Sequence, residues 1–378
     1  MKKITFLFLF WTVSFLATAQ NTIVDGISFT EASELTLFGK LMPDTPNPYH
    51  RVDTMVFKGF TKSENSQVRM STGIAIAFKT DSPMIYVHTD YGQEYIPISS
   101  DLVAIKGYDL YIKKDGEYLY AASGLPRNEL RCEEPYRLIA NMDGSVKECI
   151  LYLPLFSEVH SVKIGVKEGS LLTAAEVPFH HRVGVFGSSF TQGAGASRPG
   201  MTYTSQLSRK IGVQFLNLGC AGNCKMQPYF ADVLCSADVD AFIFDVFSNP
   251  DVATIEHRLF PFIEKIMAAH LGKPLIFLQT PYREIRNFDM TADAKERAKQ
   301  EKAEELMAIA CKKYKDVYFL KTNVTSEDHS TSVDGIHPDN NGYILWVESI
   351  ERPVRKILKK YGIKNANSST RVEKLRNT

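Results

Sequence analysis

The chain lacks most of what would mark a nucleic-acid, membrane-spanning or metal protein. It sets 44 lysines and arginines against 43 aspartates and glutamates, with no Lys/Arg-rich tract, so nucleic acid is not expected as a partner. Past the first twenty residues no apolar run approaches the roughly 20 residues that cross a bilayer. Six cysteines in 378 residues do not make a disulfide scaffold. Their positions allow Cys132 with Cys149, and Cys220 with Cys224 or Cys235, and do not choose among these. Cys220-x3-Cys224 has no histidine at ligand spacing, so neither metal nor other cofactor is expected. No segment repeats.

What is present begins with an export signal. Lys2 and Lys3 precede an apolar run from Ile4 to Leu16, and Ala17-Thr18-Ala19 offers small residues for cleavage. This reads as a signal peptide over residues 1–20 and predicts a periplasmic or extracellular protein. Loss of residues 1–19 removes two lysines and no acid, leaving 42 basic against 43 acidic residues. The sequence does not state the oligomeric state.

Residues 21–179 carry short β patterns. Ile74, Ile76 and Phe78 alternate, and Asp115-Gly116 between two apolar runs is a hairpin signal, because a type I′ turn needs positive φ at both central residues. Strands joined by turns without a long helical period predict a β-sandwich. From residue 180 to 364 strands alternate with helix-length segments: Val183–Phe186, Gln214–Leu218, Ala241–Phe247, Leu275–Gln279 and Val317–Leu320. That alternation predicts βαβ units on a parallel sheet. Residues 365–378 read as a polar tail.

Four candidate loops follow strand ends in this second part. Gly187-Ser188-Ser189 runs on to Gly193; Asn217–Cys224 holds Gly219 and Gly222; Asp245–Asp251 holds Asn249; and Asp334–Pro338 holds Asp334 and His337. In an open α/β sheet the carboxyl ends of the strands share one edge, where all four can meet. A serine there needs a base within hydrogen-bond reach, and the base needs an orienting partner. His337 with Asp334 three residues earlier supplies both. The Ser189 amide, the Gly222 amide and the Asn249 side chain are candidate donors to a tetrahedral oxyanion. Each piece has a plainer explanation: Asp334 and His337 can cap the last helix, and Asn-Pro is a common turn. Their joint order speaks against the plain explanations taken together.

On these blocks the chain resembles the SGNH (GDSL-type) hydrolases, which carry Ser, Gly, Asn and His in this order with Asp-x-x-His near the C terminus. The segment GSSFTQGAGASRPGMTY resembles a two-domain bacterial branch whose N-terminal β domain has a Gly-x-Asp-Leu-Tyr motif, matched at Gly107–Tyr111. The resemblance implies a flavodoxin-like three-layer α/β domain with a parallel sheet, preceded by an antiparallel, jelly-roll-like β-sandwich. It implies Ser189 as nucleophile, His337 as base, Asp334 as its partner, and Ser189, Gly222 and Asn249 as the oxyanion hole. Ser188 stands where the wider family has the Asp of its GDS block, and the Ser-x-x-x-Gly spacing to Gly193 selects Ser189. The turn is not Gly-x-Ser-x-Gly and the Asp is not distant from the His, which disfavours the α/β-hydrolase fold.

The function expected is that of an exported serine esterase removing O-acetyl groups from a saccharide. A lipase or thioesterase, or a non-catalytic glycan-binding protein of the same fold, is the alternative. Arg198, in the run Ser197–Met201, either reaches substrate or pins its own loop. The β domain is expected to support the catalytic domain rather than hold sugar rings, since Trp346 is the single tryptophan after the signal.

Overall fold

The computed structural model describes residues 22–125 and 135–364. The expected signal peptide, Cys132 and the expected polar tail from residue 365 lie outside them. The first part is two antiparallel sheets. Ile74, Ile76 and Phe78 face Val87, Leu110, Leu151 and Val162 of the sandwich core. The intervening Ala75 and Ala77 are buried too, against Phe38, Tyr111 and Phe179 on the outer face. Asp115 and Gly116 have φ of 52° and 85° between the paired residues Lys114 and Glu117. That is the I′ geometry, whose twist matches that of the strands.

The longest helix in this part, α1 (Lys62–Arg69), has no counterpart in the strand pattern. Its start was nonetheless written in the sequence, because Thr61 and Glu64 form a reciprocal capping box.

The second part is a five-stranded sheet of β1 (Arg182–Gly187), β2 (Gln214–Gly219), β3 (Ala241–Asp245), β4 (Leu275–Leu278) and β5 (Val317–Leu320). All pairings are parallel, in the order β2-β1-β3-β4-β5. This is the flavodoxin-like order, whose switch point lies between β1 and β3. Both faces of the sheet are covered, so its strands are apolar on both sides. Phe242 and Phe244 of β3 pack under Leu259 and Ile263 of α3 (Val252–Ala269) and Met307 of α4 (Met290–Lys313). Ala241 and Ile243 meet Val347, Ile350 and Val354 of α5 (Asn340–Lys360) on the other face. On α5 the buried stripe includes Tyr343 and Trp346 and leaves Ile344 only partly covered. The large rings fill the space beside Tyr203, on which Trp346 stacks at 4.3 Å.

The two parts share their cores. Leu41, Val52 and Val68 of the first sit in the α3/α4 layer, and Ile105, Leu155 and Phe156 join the α5 layer. A polar clasp adds to this. Arg198 Nη1 donates to Asp109 Oδ2 at 2.6 Å and to the Tyr111 hydroxyl at 2.8 Å, and its guanidinium lies 4.2 Å from the Tyr120 ring centre. Gly200 N donates to the same Asp109 oxygen at 2.8 Å. Asp109 and Tyr111 belong to the Gly-x-Asp-Leu-Tyr motif, so that motif grips the Ser197–Met201 loop. Arg198 therefore pins its loop through Asp109 and Tyr111. The pairing of Cys220 with Cys224 or Cys235 does not form: all three are free thiols, as is Cys149. Cys220 and Cys224 serve as small apolar residues of the α3/α4 core.

Replacement of Asp109 by Ala should strip Arg198 of its partner inside this interface. Breaking a buried pair one-sidedly costs about 3 kcal/mol or more, so the D109A chain is expected to show a clearly lower thermal midpoint in scanning calorimetry.

Candidate active site

β1 ends at Gly187, and the chain turns at once into α2 (Ser189–Gln192), capped by Ser188. The two serines part company here. Ser188 is 0 % exposed and points inward. Its Oγ donates to Asp245 Oδ2 at 2.7 Å, its amide donates to the same oxygen at 3.1 Å, and Thr191 Oγ1 adds a third bond at 3.0 Å. Ser189 is 9 % exposed, and its Oγ donates to His337 Nε2 at 2.8 Å.

His337 is held from behind. Its Nδ1 lies 2.7 Å from Asp334 Oδ2, which keeps the proton on Nδ1 and leaves Nε2 as acceptor. Asp334 Oδ1 takes the amides of Ile336 and His337 at 2.9 and 2.7 Å. Burial pushes the Asp334 carboxyl up, but these hydrogen bonds from His337 and its neighbour win and hold it at about 2. Neither residue caps the last helix; Asp339 does, accepting from Gly342 N at 2.8 Å. The Phe190 ring packs 5.4 Å from the imidazole and limits its rotation.

Three N–H groups of the loops that follow β1, β2 and β3 are unspent. Among the described residues the amides of Ser189 and Gly222 and the side-chain amide of Asn249 have no protein acceptor. Asn249 is oriented by its oxygen, which accepts from Cys224 N at 3.1 Å, so its Nδ2 is left as donor. The arrangement can deliver an activated hydroxyl to a carbonyl and offer hydrogen bonds to the oxygen that becomes negative. No group of three or more His, Cys, Asp or Glu among the described residues is placed to hold a metal ion. No helix among them is long and apolar enough to cross a membrane.

The pattern of the GDSL-like lipase/acylhydrolase family matches residues 180–355, and that of the N-terminus of SGNH-hydrolase-type esterases, named for Gly-x-Asp-Leu-Tyr, matches residues 27–172. A solved GDSL-like lipase from Bacteroides ovatus is 37% identical, with 88% of this chain and 98% of that one covered, at a TM-score of 0.84. The chain belongs to the GDSL-like lipase/acylhydrolase family. Two solved enzymes share the fold of this hydrolase at lower identity. A salicylyl-acyltransferase from a tetracycline biosynthetic pathway is 17% identical, covers 92% of this chain and 94% of its own, and has a TM-score of 0.62. A family two carbohydrate esterase from Cellvibrio japonicus is 12% identical, covers 88% and 98%, and has a TM-score of 0.56. No curated protein matches the sequence.

The hydrolase also uses residues that the motif reading passed over. Asp245 is one: it is fully buried, and its Oδ1 has no hydrogen-bond partner among the described residues. Burial raises its carboxyl to about 6, against the hydrogen bonds from Ser188 and Thr191. The signal for it was a carboxylate as the last residue of an apolar strand. A carboxyl whose folded value lies above its ordinary 3.8 stabilises the fold fully below about pH 4 and loses that contribution as pH rises through 6. Asn does not titrate, so the thermal midpoint of D245N relative to wild type should climb between pH 4 and pH 8. The full swing corresponds to about 3 kcal/mol, and a gap that stays constant with pH contradicts a raised Asp245.

Proposed function

We propose that this hydrolase is an exported serine esterase that removes O-acetyl groups from a carbohydrate. The observation that carries the reading is the Ser189–His337–Asp334 chain at 2.8 and 2.7 Å beside three unspent N–H donors. Ser189 Oγ attacks the ester carbonyl while His337 Nε2 takes its proton, and the ionised Asp334 stabilises the imidazolium. The negative oxygen of the tetrahedral intermediate is held by the Ser189 and Gly222 amides and by Asn249 Nδ2. Collapse expels the sugar oxygen, which receives the proton from His337, and leaves acetyl on Ser189. Water then attacks as His337 takes its proton, and collapse passes that proton to Ser189 Oγ, releasing acetate and the free serine.

The sugar substrate is supported by the expected signal peptide and by the fold shared with the Cellvibrio japonicus carbohydrate esterase. A second reading, acyl hydrolysis on longer chains, is favoured by an apolar fringe at the histidine loop. Ile285 donates its amide to Gly335 O at 2.8 Å beside Asp334, and Ile285 and Val333 are 40 % and 46 % exposed.

Purified protein should hydrolyse p-nitrophenyl acetate, and S189A should lose at least about 1,000-fold in kcat. S188A should remain active at a reduced level, since Ser188 is turned away from His337. Preference for acetyl over octanoyl esters separates the two substrates; the reverse preference removes the acetyl assignment. Equal, slow hydrolysis by wild type and S189A removes the enzyme reading and favours a binding protein. A screen for acetate release from acetylated glycans then names the sugar.

A further inference from the structure

The loop carrying Gly222 is held from the N-terminal part of the chain. Of the amides from Gly219 to Cys224, five are bonded. Gly219 N goes to Asn217 Oδ1 (2.8 Å), Cys220 N to Gly187 O (2.9 Å) and Ala221 N to Gln192 Oε1 (2.9 Å). Asn223 N goes to Cys220 O (3.0 Å) and Cys224 N to Asn249 Oδ1 (3.1 Å). Gly222 N is the exception. The carbonyl of its own peptide unit, Ala221 O, accepts from Gln67 Nε2 at 2.8 Å and from Asn223 Nδ2 at 3.3 Å. Gln67 lies on α1 and is 2 % exposed, and its Oε1 accepts from Asn223 Nδ2 at 2.8 Å. Arg51, fully buried, donates to Asn217 O at 3.1 Å, to Gly219 O at 3.0 Å and to the Gln67 carbonyl, locking α1 to the end of β2.

A trans peptide is planar, and its N–H points opposite to its C=O. Fixing Ala221 O therefore fixes the direction of Gly222 N–H. Gly222 itself is exposed, and a Cβ placed on it would meet nothing within 4 Å. A donor on the carbonyl also polarises the peptide and strengthens its N–H as a donor.

We propose that Gln67 is a positioning residue of the oxyanion hole, acting through the Ala221–Gly222 peptide. The β domain thereby contributes to turnover as well as to stability. This rests on the esterase reading above, with Gly222 as an oxyanion donor.

The test uses the full chain and three variants: Gln67→Met, which keeps the shape and loses the donor; Gln67→Glu, which sets an acceptor against Ala221 O; and Asn223→Ala, which removes the brace on the Gln67 amide together with Asn223's own bond to Ala221 O. Loss of one oxyanion donor costs about 100–1,000-fold, and a misaimed donor should cost less. On p-nitrophenyl acetate, Q67M and Q67E are expected to lose about 10- to 100-fold in kcat with KM within about twofold of wild type. The affinity for phenylboronic acid, which forms a tetrahedral adduct on the serine, should fall in parallel. N223A, which loosens both holds on the Ala221–Gly222 peptide, should lose about three- to tenfold and keep the wild-type thermal midpoint; a folded N223A with wild-type kcat overturns the proposal even if the Gln67 variants fail to fold. Folded variants with wild-type kcat, or with lowered kcat and unchanged boronate affinity, overturn the proposal. A wild-type chain without Ser189-dependent hydrolysis overturns the esterase reading itself, and the role of Gln67 falls with it.

Discussion

The chemistry of this chain depends on one constraint, the parallel register that sets Gly187 of β1 level with Gly219 of β2 and Asp245 of β3. These three residues end their strands abreast at the switch point of the sheet, where the chain leaves in opposite directions on either side of β1 and opens a crevice. From this line Ser189 rises two residues past Gly187, the Gly222 loop leaves from Gly219, and Asn249 follows four residues after Asp245. The approach is close. A Cβ at Gly219 would lie 2.1 Å from the backbone nitrogen of Gln192, so a side chain there would push α2, and Ser189 with it, off the line.

Beneath the line sits the buried carboxylate of Asp245, which gathers the Ser188 amide, the Ser188 hydroxyl and the Thr191 hydroxyl on one oxygen. These groups flank Ser189 in sequence, so the proposed nucleophile is presented by a turn tied down on both sides. Where the wider family has an acid in the turn itself, this chain has Ser188 there and an acid on the neighbouring strand. An uncompensated buried carboxylate is costly, and its protonation equilibrium shifts upward as a result. The gain is a turn that cannot rotate Ser189 away from His337.

The β-sandwich and the α/β domain act as one folded unit at this edge. Arg51 reaches from the first into the end of β2, and Arg198 reaches back into Asp109. The first is a fully buried guanidinium satisfied largely by carbonyls, and the second a salt bridge stacked on tyrosine. Both cross the boundary next to loops of the candidate site rather than at its periphery. Apolar residues of each part complete the core of the other, which makes separate folding of either part costly.

Much of this was legible in the sequence. The five sheet strands, the hairpin at Asp115-Gly116, the long helices and the Ser189, Gly222, Asn249, Asp334 and His337 blocks are local patterns, set by hydrophobic period and turn chemistry over a few residues, and those can be read without the fold. Between the two serines the sequence offered only a spacing; in the structure the Ser189 hydroxyl meets a histidine 148 residues away and the Ser188 hydroxyl a carboxylate 57 residues away. Asp245, Gln67 and Arg51 escaped because none belongs to a local pattern. Each acts on groups that chain topology alone brings near: Gln67 grips a carbonyl 154 residues downstream. The sequence by itself determined the elements and the chemistry of the side chains. Tertiary structure decided which of those side chains share a hydrogen bond, because such a bond depends on distances of a few ångströms that only packing sets.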